Sequence, residues 1–384
     1  LKIGITCYPT IGGSGIVAST LGTLLANRGY EVHFISYNPP YRLPDYHENI
    51  YYHEVEISQY PLFKYPPYCL TLATKMVEVI QESELDILHV HYAIPHTISA
   101  YLAKEISHRP IPIITTLHGT DITLVGQQKS FFNVVQFALQ KSDGITAVSH
   151  FLRQQTQDVF KISQDIEVIH NFVDTQQFKP ITSKSRRTRF CGKSNFLLIH
   201  VSNFRPVKRV EDVLSVFERI QRVLNAHLLL VGEGPDTLKA KELCKQYNIE
   251  QKVCFLGNQQ QVEALLGIAD LFLLTSQFES FGLSALEAIS CGVPVLAVKG
   301  GGVTEVLEEG VSGYLCNPGD HEEMAQKAIH LLQNPEQLQK MKLQCRQQAI
   351  ERFNQEVLIE NYVRYYQKVI EHSQNNKSPL RSSF

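Results

Sequence analysis

"LFLLTSQFESFGLSALEAISCGVPVLAV", residues 271–298, decides the architecture. An apolar run (271–276) breaks at a polar loop, a helix-like segment follows over 282–291, and a second apolar run occupies 293–298. Two short, fully apolar runs joined by a helix are the pattern of parallel strands with a crossover, buried on both faces. Two acids interrupt it, Glu279 before the helix and Glu287 within it. An acid beside a helix start gains roughly 0.3–1 kcal/mol from the dipole, which accounts for Glu279 and not for Glu287. The first-turn amides of Phe281, Gly282, Leu283 and Ser284 suit a phosphate. The two carboxylates suit hydroxyl groups on either side of it.

The same alternation extends in both directions. Further strands are expected at 196–203, 226–234 and 252–257, with helices near 210–224, 236–247, 259–268, 320–333 and 335–351. The first half has strand-like runs at 2–8, 31–37, 50–57, 86–92, 111–119, 144–149 and 166–173, with helices near 14–28, 69–83, 95–107, 130–141 and 150–160. The expected fold is α/β, two doubly wound Rossmann-like domains in series with a cleft between them. The expected division is 1–172, 173–352, a C-terminal helix over 353–372 packing back across the domains, and a flexible tail over 373–384. The polar stretch 172–195 reads as a solvated linker.

The chain has 384 residues, more than one ordinary core, and a formal net charge of -2. That balance gives no pull toward nucleic acid or an anionic membrane. No run approaches the roughly 20 apolar residues of a membrane span. The N-terminus lacks the features of a signal peptide, so the expectation is a cytoplasmic protein. Its eight cysteines form no C-x-x-C pair and read as reduced thiols.

Four other stretches carry chemistry at strand ends. "CYPTIGGSGIV" (7–17) places glycines and a helix start after the first strand, which suits a phosphate or carboxylate and serves equally as a tight turn. "HVHYAIPH" (89–96) and "TTLHGTD" (115–121) set Tyr92, Thr116 and His118 at a strand-end edge. The histidines lack a carboxylate at metal-ligand spacing, so no metal is expected. His118 could orient a hydroxyl or stabilise positive charge near a reacting carbon, or be structural. "HVSNFRPVKRVED" (200–212) gathers Arg205, Lys208 and Arg209, a cluster suited to a diphosphate. "VGEGPD" (231–236) places Gly232 and Gly234 where backbone can approach closely.

The E-x7-E frame around "FGLSALEA", followed by "CGVPV" and "GGVTEV", resembles the retaining glycosyltransferases of family 4, which have the GT-B fold. The resemblance covers nearly the whole chain. No D-x-D is present, and the basic cluster stands in for a metal-held diphosphate. The blocks "YPPY" (65–68), "LDILHVHYAIPH", "TTLHGTDIT" and "IHNFVD" look like the branch that transfers N-acetylglucosamine from UDP-N-acetylglucosamine to L-malate, the first step of bacillithiol biosynthesis. The resemblance implies a metal-independent enzyme with no cofactor. Its catalytic set is His118, Lys208, Arg205 and Glu279. The donor set is Gly15, Gly232, Phe281, Gly282, Leu283, Ser284 and Glu287. Ser14, Tyr92, Thr116 and Asn203 fall to the acceptor, with Gly15 beside them. Asn203 stands where many family members have arginine, and Thr304 where they often have proline. Neither nucleic acid nor stable membrane association is implied, and a homo-oligomer stays open. A different acceptor (lipid, glycan or inositol) and a non-catalytic sugar-nucleotide binder are the competing readings.

Overall fold

The computed structural model describes residues 1–375 apart from Ile11, 58–63, Leu124, Thr182 and 193–195. Of the tail expected over 373–384, residues 373–375 continue the last helix, and the part from 376 onward lies outside the described residues. The chain forms two compact units. The first takes Leu1–His170 and resumes at Glu356, and the second takes Asn171–Gln355.

The first unit is built on a seven-stranded parallel sheet. Its strands are β1 (Lys2–Thr6), β2 (Glu31–Ser36), β3 (Ile50–Glu54), β4 (Ile87–His91), β5 (Ile113–Leu117), β6 (Gly144–Ala147) and β7 (Glu167–Val168), in the order β3-β2-β1-β4-β5-β6-β7. Strands β4 and β5 are buried at every residue. Such strands need helices on both faces. The helix Tyr68–Glu82 supplies one cover, because Leu72, Met76, Val79 and Ile80 fall on one face and pack with Leu88 and Val90.

The second unit repeats the plan. Its strands are β8 (Phe196–Val201), β9 (Ala226–Val231), β10 (Val253–Gly257), β11 (Leu271–Leu274), β12 (Val295–Val298) and β13 (Gly313–Cys316), ordered β10-β9-β8-β11-β12-β13 and all parallel. The edge strand β13 escaped the sequence reading because "GYLC" is short and has no apolar run.

One other expectation changes. The stretch read as a solvated linker contains a helix, Lys184–Cys191, capped by Ser183. Arg187 fastens it by donating to Asp270 at 2.5 Å and to the Ile268 carbonyl at 2.8 Å. The last helix, Gln355–Asn375, joins the first unit from Glu356 onward. There the Tyr365 hydroxyl accepts from the Ile145 amide at 2.9 Å and donates to its carbonyl at 3.0 Å.

All eight cysteines are free. Burial pushes the Cys7 thiol up to about 12 and those of Cys244 and Cys316 to about 11, so these are protonated packing residues. Among the described residues no helix is long and apolar enough to cross a membrane.

In each sheet the strand order reverses once, between β1 and β4 and between β8 and β11. Loops leaving the carboxyl ends of such neighbours diverge, and the gap between them is where open α/β sheets bind ligands.

Candidate active site

In the second unit the loops after β8 and β11 are stitched together. The Gln277 amide donates to the Val207 carbonyl at 2.9 Å. The Thr275 hydroxyl reaches the Lys208 carbonyl at 3.2 Å and the Arg209 carbonyl at 2.9 Å. This brings the Lys208 ammonium to 2.6 Å from Glu279 Oε1. Beneath them His200 is buried, with Nδ1 donating to the Leu273 carbonyl and Nε2 accepting from the Ser202 hydroxyl, each at 2.8 Å. Burial holds its pKa down to about 4, so it is a neutral support.

The basic trio does not act as one group. Arg209 adopts φ +52 and folds onto Asp212, at 2.8 and 3.1 Å, at the start of the helix Val210–Val223. Arg205 is exposed and has no ion pair among the described residues. Lys208 and Arg205 therefore remain available to a phosphate, and Arg209 is committed to structure. Asn203 is half-buried, and its Oδ1 is buried without a partner.

The helix Leu283–Ser290 starts from Gly282, whose φ of +99 favours glycine, although an added Cβ would meet only ordinary contacts, the nearest with Val303 at 3.5 Å. No side chain caps it and no acid sits in its first turn, so the amides of Leu283 and Ser284 keep their capacity for an anion. Phe281 gives its side chain to the core, with its ring 5.9 Å from that of Phe353. Glu279 and Glu287 are both buried.

The glycine loops serve a purpose that their spacing did not reveal. A Cβ on Gly301 would lie 2.1 Å from the Glu279 carbonyl, and one on Gly302 would lie 2.2 Å from that of Ser280. The Gly302 amide donates to the Glu279 carbonyl at 2.8 Å. The loop 300–302 thus backs the turn that carries Glu279. Gly232 and Gly234 likewise make room for the Ser202 and Asn203 carbonyls, 1.8 and 1.9 Å from where their Cβ atoms would be.

In the first unit the helix Gly13–Asn27 starts after β1 with no side-chain cap and no acid in its first turn. Ser14 is half-exposed in that turn. Gly15 is buried, and the Tyr8 and Thr10 carbonyls lie 2.7 Å from its would-be Cβ, so its close approach is to its own loop. Tyr92 follows β4 directly and adopts φ +88, a strained value for a tyrosine. Its ring meets those of Tyr8 at 5.4 Å and His118 at 5.6 Å.

Four histidines lie beside it. His118 Nε2 is 2.8 Å from His91 Nδ1, and His96 Nδ1 donates to the His91 carbonyl at 2.5 Å. His89 bridges the Tyr366 hydroxyl at 2.7 Å and the Thr116 hydroxyl at 2.6 Å. Burial holds His89 and His118 down to about 3 and His96 to about 4, and pushes His91 well down too. Thr116 is fully buried and is also bonded to Thr146 at 2.6 Å, so it supports this edge from within. Asp121 accepts from the Gly119 amide at 2.9 Å and the Ala93 amide at 3.0 Å, tying the loops after β4 and β5 together. The pairing of His91 with His118 was invisible in sequence, because spacing tells which face a residue takes and not which neighbour it meets.

Comparison with known proteins agrees with this layout. Residues 11–177 match the model "Glycosyltransferase Family 4", and residues 183–350 match "Glycosyl transferases group 1". The N-acetyl-alpha-D-glucosaminyl L-malate synthase of Bacillus anthracis is 47% identical over 378 residues, 98% of this chain and 99% of that protein. Among solved structures, a glycosyltransferase from Rickettsia africae superposes with a TM-score of 0.79 at 22% identity, covering 96% of this chain and 98% of that one. The Anabaena protein HepE in complex with UDP gives a TM-score of 0.76 at 22% identity, covering 96% of this chain and all (100%) of that one. Sequence, fold and strand-end chemistry together make this chain a member of the GT-B glycosyltransferases, with a family 4 first half and a group 1 second half.

Proposed function

We propose that this chain transfers N-acetylglucosamine from UDP-N-acetylglucosamine to the hydroxyl of L-malate, with retention at the anomeric carbon and without a metal. The observation that carries the acceptor is the 47% identity, over 98% of the chain, to the Bacillus anthracis synthase whose name states that product. By the same likeness the product would enter bacillithiol biosynthesis. The fold shared with HepE, which was solved with UDP, supports the nucleotide.

The geometry suggests how each part acts. The Lys208 ammonium has three N–H donors, and Glu279 takes one. The others can bind the diphosphate, with Arg205 beside them and the Leu283 and Ser284 amides completing the anion site. Lys208 then stabilises the charge that develops on the departing phosphate. Glu279 and Glu287 hold donor hydroxyls, Glu287 on the ribose. Glu279 is already engaged by Lys208, which makes it a poor covalent nucleophile. Retention therefore proceeds by attack from the face the leaving group occupies, with a phosphate oxygen accepting the malate hydroxyl proton. In the first unit the Gly13–Asn27 helix start, Ser14 and Tyr92 suit the malate carboxylates. Asn203 is assigned to the acceptor, and its unpartnered Oδ1 is a free hydrogen-bond acceptor.

The test is an assay of the chain with UDP-N-acetylglucosamine against L-malate, D-malate, other hydroxy acids and inositol, with and without EDTA. The glycoside is detected by mass spectrometry, since UDP release alone also reports hydrolysis. The proposal expects an L-malate glycoside, little product from D-malate, none from inositol, and no loss with EDTA. Efficient transfer to inositol or dependence on a metal would refute it.

A further inference from the structure

His91 ends β4 fully buried, and its two ring nitrogens differ sharply. Nδ1 is 2.8 Å from His118 Nε2, while Nε2 is buried with no partner. Both rings are held neutral by burial, so each carries one proton and the contact between them uses one. Two arrangements satisfy it. If His118 donates from Nε2, the His91 proton must sit on its own Nε2, leaving a buried N–H with nothing to bond. If His91 donates from Nδ1, its orphan atom is a bare nitrogen, and the His118 proton moves to Nδ1. Orphaned buried N–H groups are rare and costly, so the second arrangement wins. His118 Nδ1 has no bond to any described residue and is not among the sealed atoms, and His118 is half-buried beside Tyr92.

We propose that His91 is a positioning residue that locks His118 in the Nδ1–H form, so that His118 presents a neutral N–H donor to a substrate oxygen. This rests on the glycosyl-transfer reading above and sharpens it. A donor N–H serves a sugar hydroxyl or a malate carboxylate. It does nothing favourable for a cationic carbon, so the second role open to His118 from sequence is removed. His96 completes the device by tying the His91 carbonyl, and the ring of His89 flanks that of His91 at 4.5 Å.

The test begins with 15N-histidine-labelled protein without substrate, the His118 signals being assigned by their loss in His118→Gln. The expected spectrum has His118 protonated at Nδ1 and bare at Nε2. A proton on Nε2 would overturn the proposal. In His91→Phe, which keeps bulk and removes the donor, His118 should lose this tautomer preference and kcat should fall about tenfold, the equivalent of one hydrogen bond. KM for either substrate should change by less than about twofold. His91→Asn, whose amide can donate from near the Nδ1 position, should recover most of the loss. Unchanged kcat in a folded His91→Phe, or no recovery in His91→Asn, would count against the idea. If His91→Phe fails to fold, the wild-type spectrum and His91→Asn decide. The tautomer is read without substrate, so this inference and the choice of malate as acceptor fail separately.

Discussion

Replacing Gly302 by alanine should damage the donor side of the site through a defined displacement. Gly302 has φ -70 and ψ -9, so an alanine meets no backbone strain there. The obstacle is steric. The new methyl would sit 2.2 Å from the Ser280 carbonyl oxygen, 2.7 Å from its carbon and 3.0 Å from Phe281 Cα. To reach even 3.0 Å the Ser280 carbonyl must retreat by about 0.8 Å, an overpacking that costs roughly 1–3 kcal/mol. Glu279 is the next residue, and its carbonyl is held by the Gly302 amide itself. It must move with the turn, away from its 2.6 Å contact with Lys208. A misplacement of about 1 Å can cost up to about a hundredfold in rate. The expected result is a fall in kcat of about 10- to 100-fold, with a Tm lower by several degrees. The control is Gly29→Ala, at φ +83 with nothing within 4 Å and at the opposite, amino end of a sheet. It should lose about 1–2 kcal/mol of stability with turnover unchanged. Steady-state glycoside formation and thermal unfolding read both variants. A Gly302→Ala protein with normal kcat would refute the idea that the glycine loop positions Glu279.

Other consequences are as direct. Lys208→Ala should lower kcat about 10²- to 10³-fold with the fold intact, and turnover near normal would remove Lys208 from leaving-group stabilisation. Stability should fall with acid. His89, His118 and His96 have folded pKa values depressed to about 3, 3 and 4, below the usual 6.5 of the unfolded chain. Their contribution is fully present above about pH 6.5 and is lost as pH falls toward 3–4, at about 1.4 kcal/mol per pH unit for each proton taken up. Urea midpoints measured from pH 7 to pH 4.5 should drop steadily, and a flat profile would contradict neutral burial. Tyr366→Phe strips the hydroxyl from His89 Nδ1 at 2.7 Å and should cost about 1–3 kcal/mol in urea unfolding. An unchanged midpoint would mean that the C-terminal helix is not fastened there.

The strands were legible because buried parallel strands are apolar runs, and Leu271–Leu274 and Val295–Val298 leave little other reading. The strand β13 was not, since Gly313 and Tyr314 carry no such signal. At the site, residue type was legible and partnership was not. Gly15, Gly232 and Gly234 announced close approach, yet what approaches each is a carbonyl of its own chain. Lys208, Arg205 and Arg209 looked equivalent, and the αL turn at Arg209 gave that side chain to Asp212. Thr116 was visible as a hydroxyl at a strand end, but only the register of β4 against β5 shows it bonded inward. Such facts depend on which strands are neighbours, and a pattern along one chain does not contain that.

One measurement bears most directly on the function. The chain is incubated with UDP-N-acetylglucosamine and L-malate, and the product is analysed by mass spectrometry and by the NMR coupling of its anomeric proton. The expected product is N-acetylglucosamine joined through the malate hydroxyl with the donor's α configuration kept. A β-linked product, or release of free N-acetylglucosamine with no malate glycoside, would contradict it.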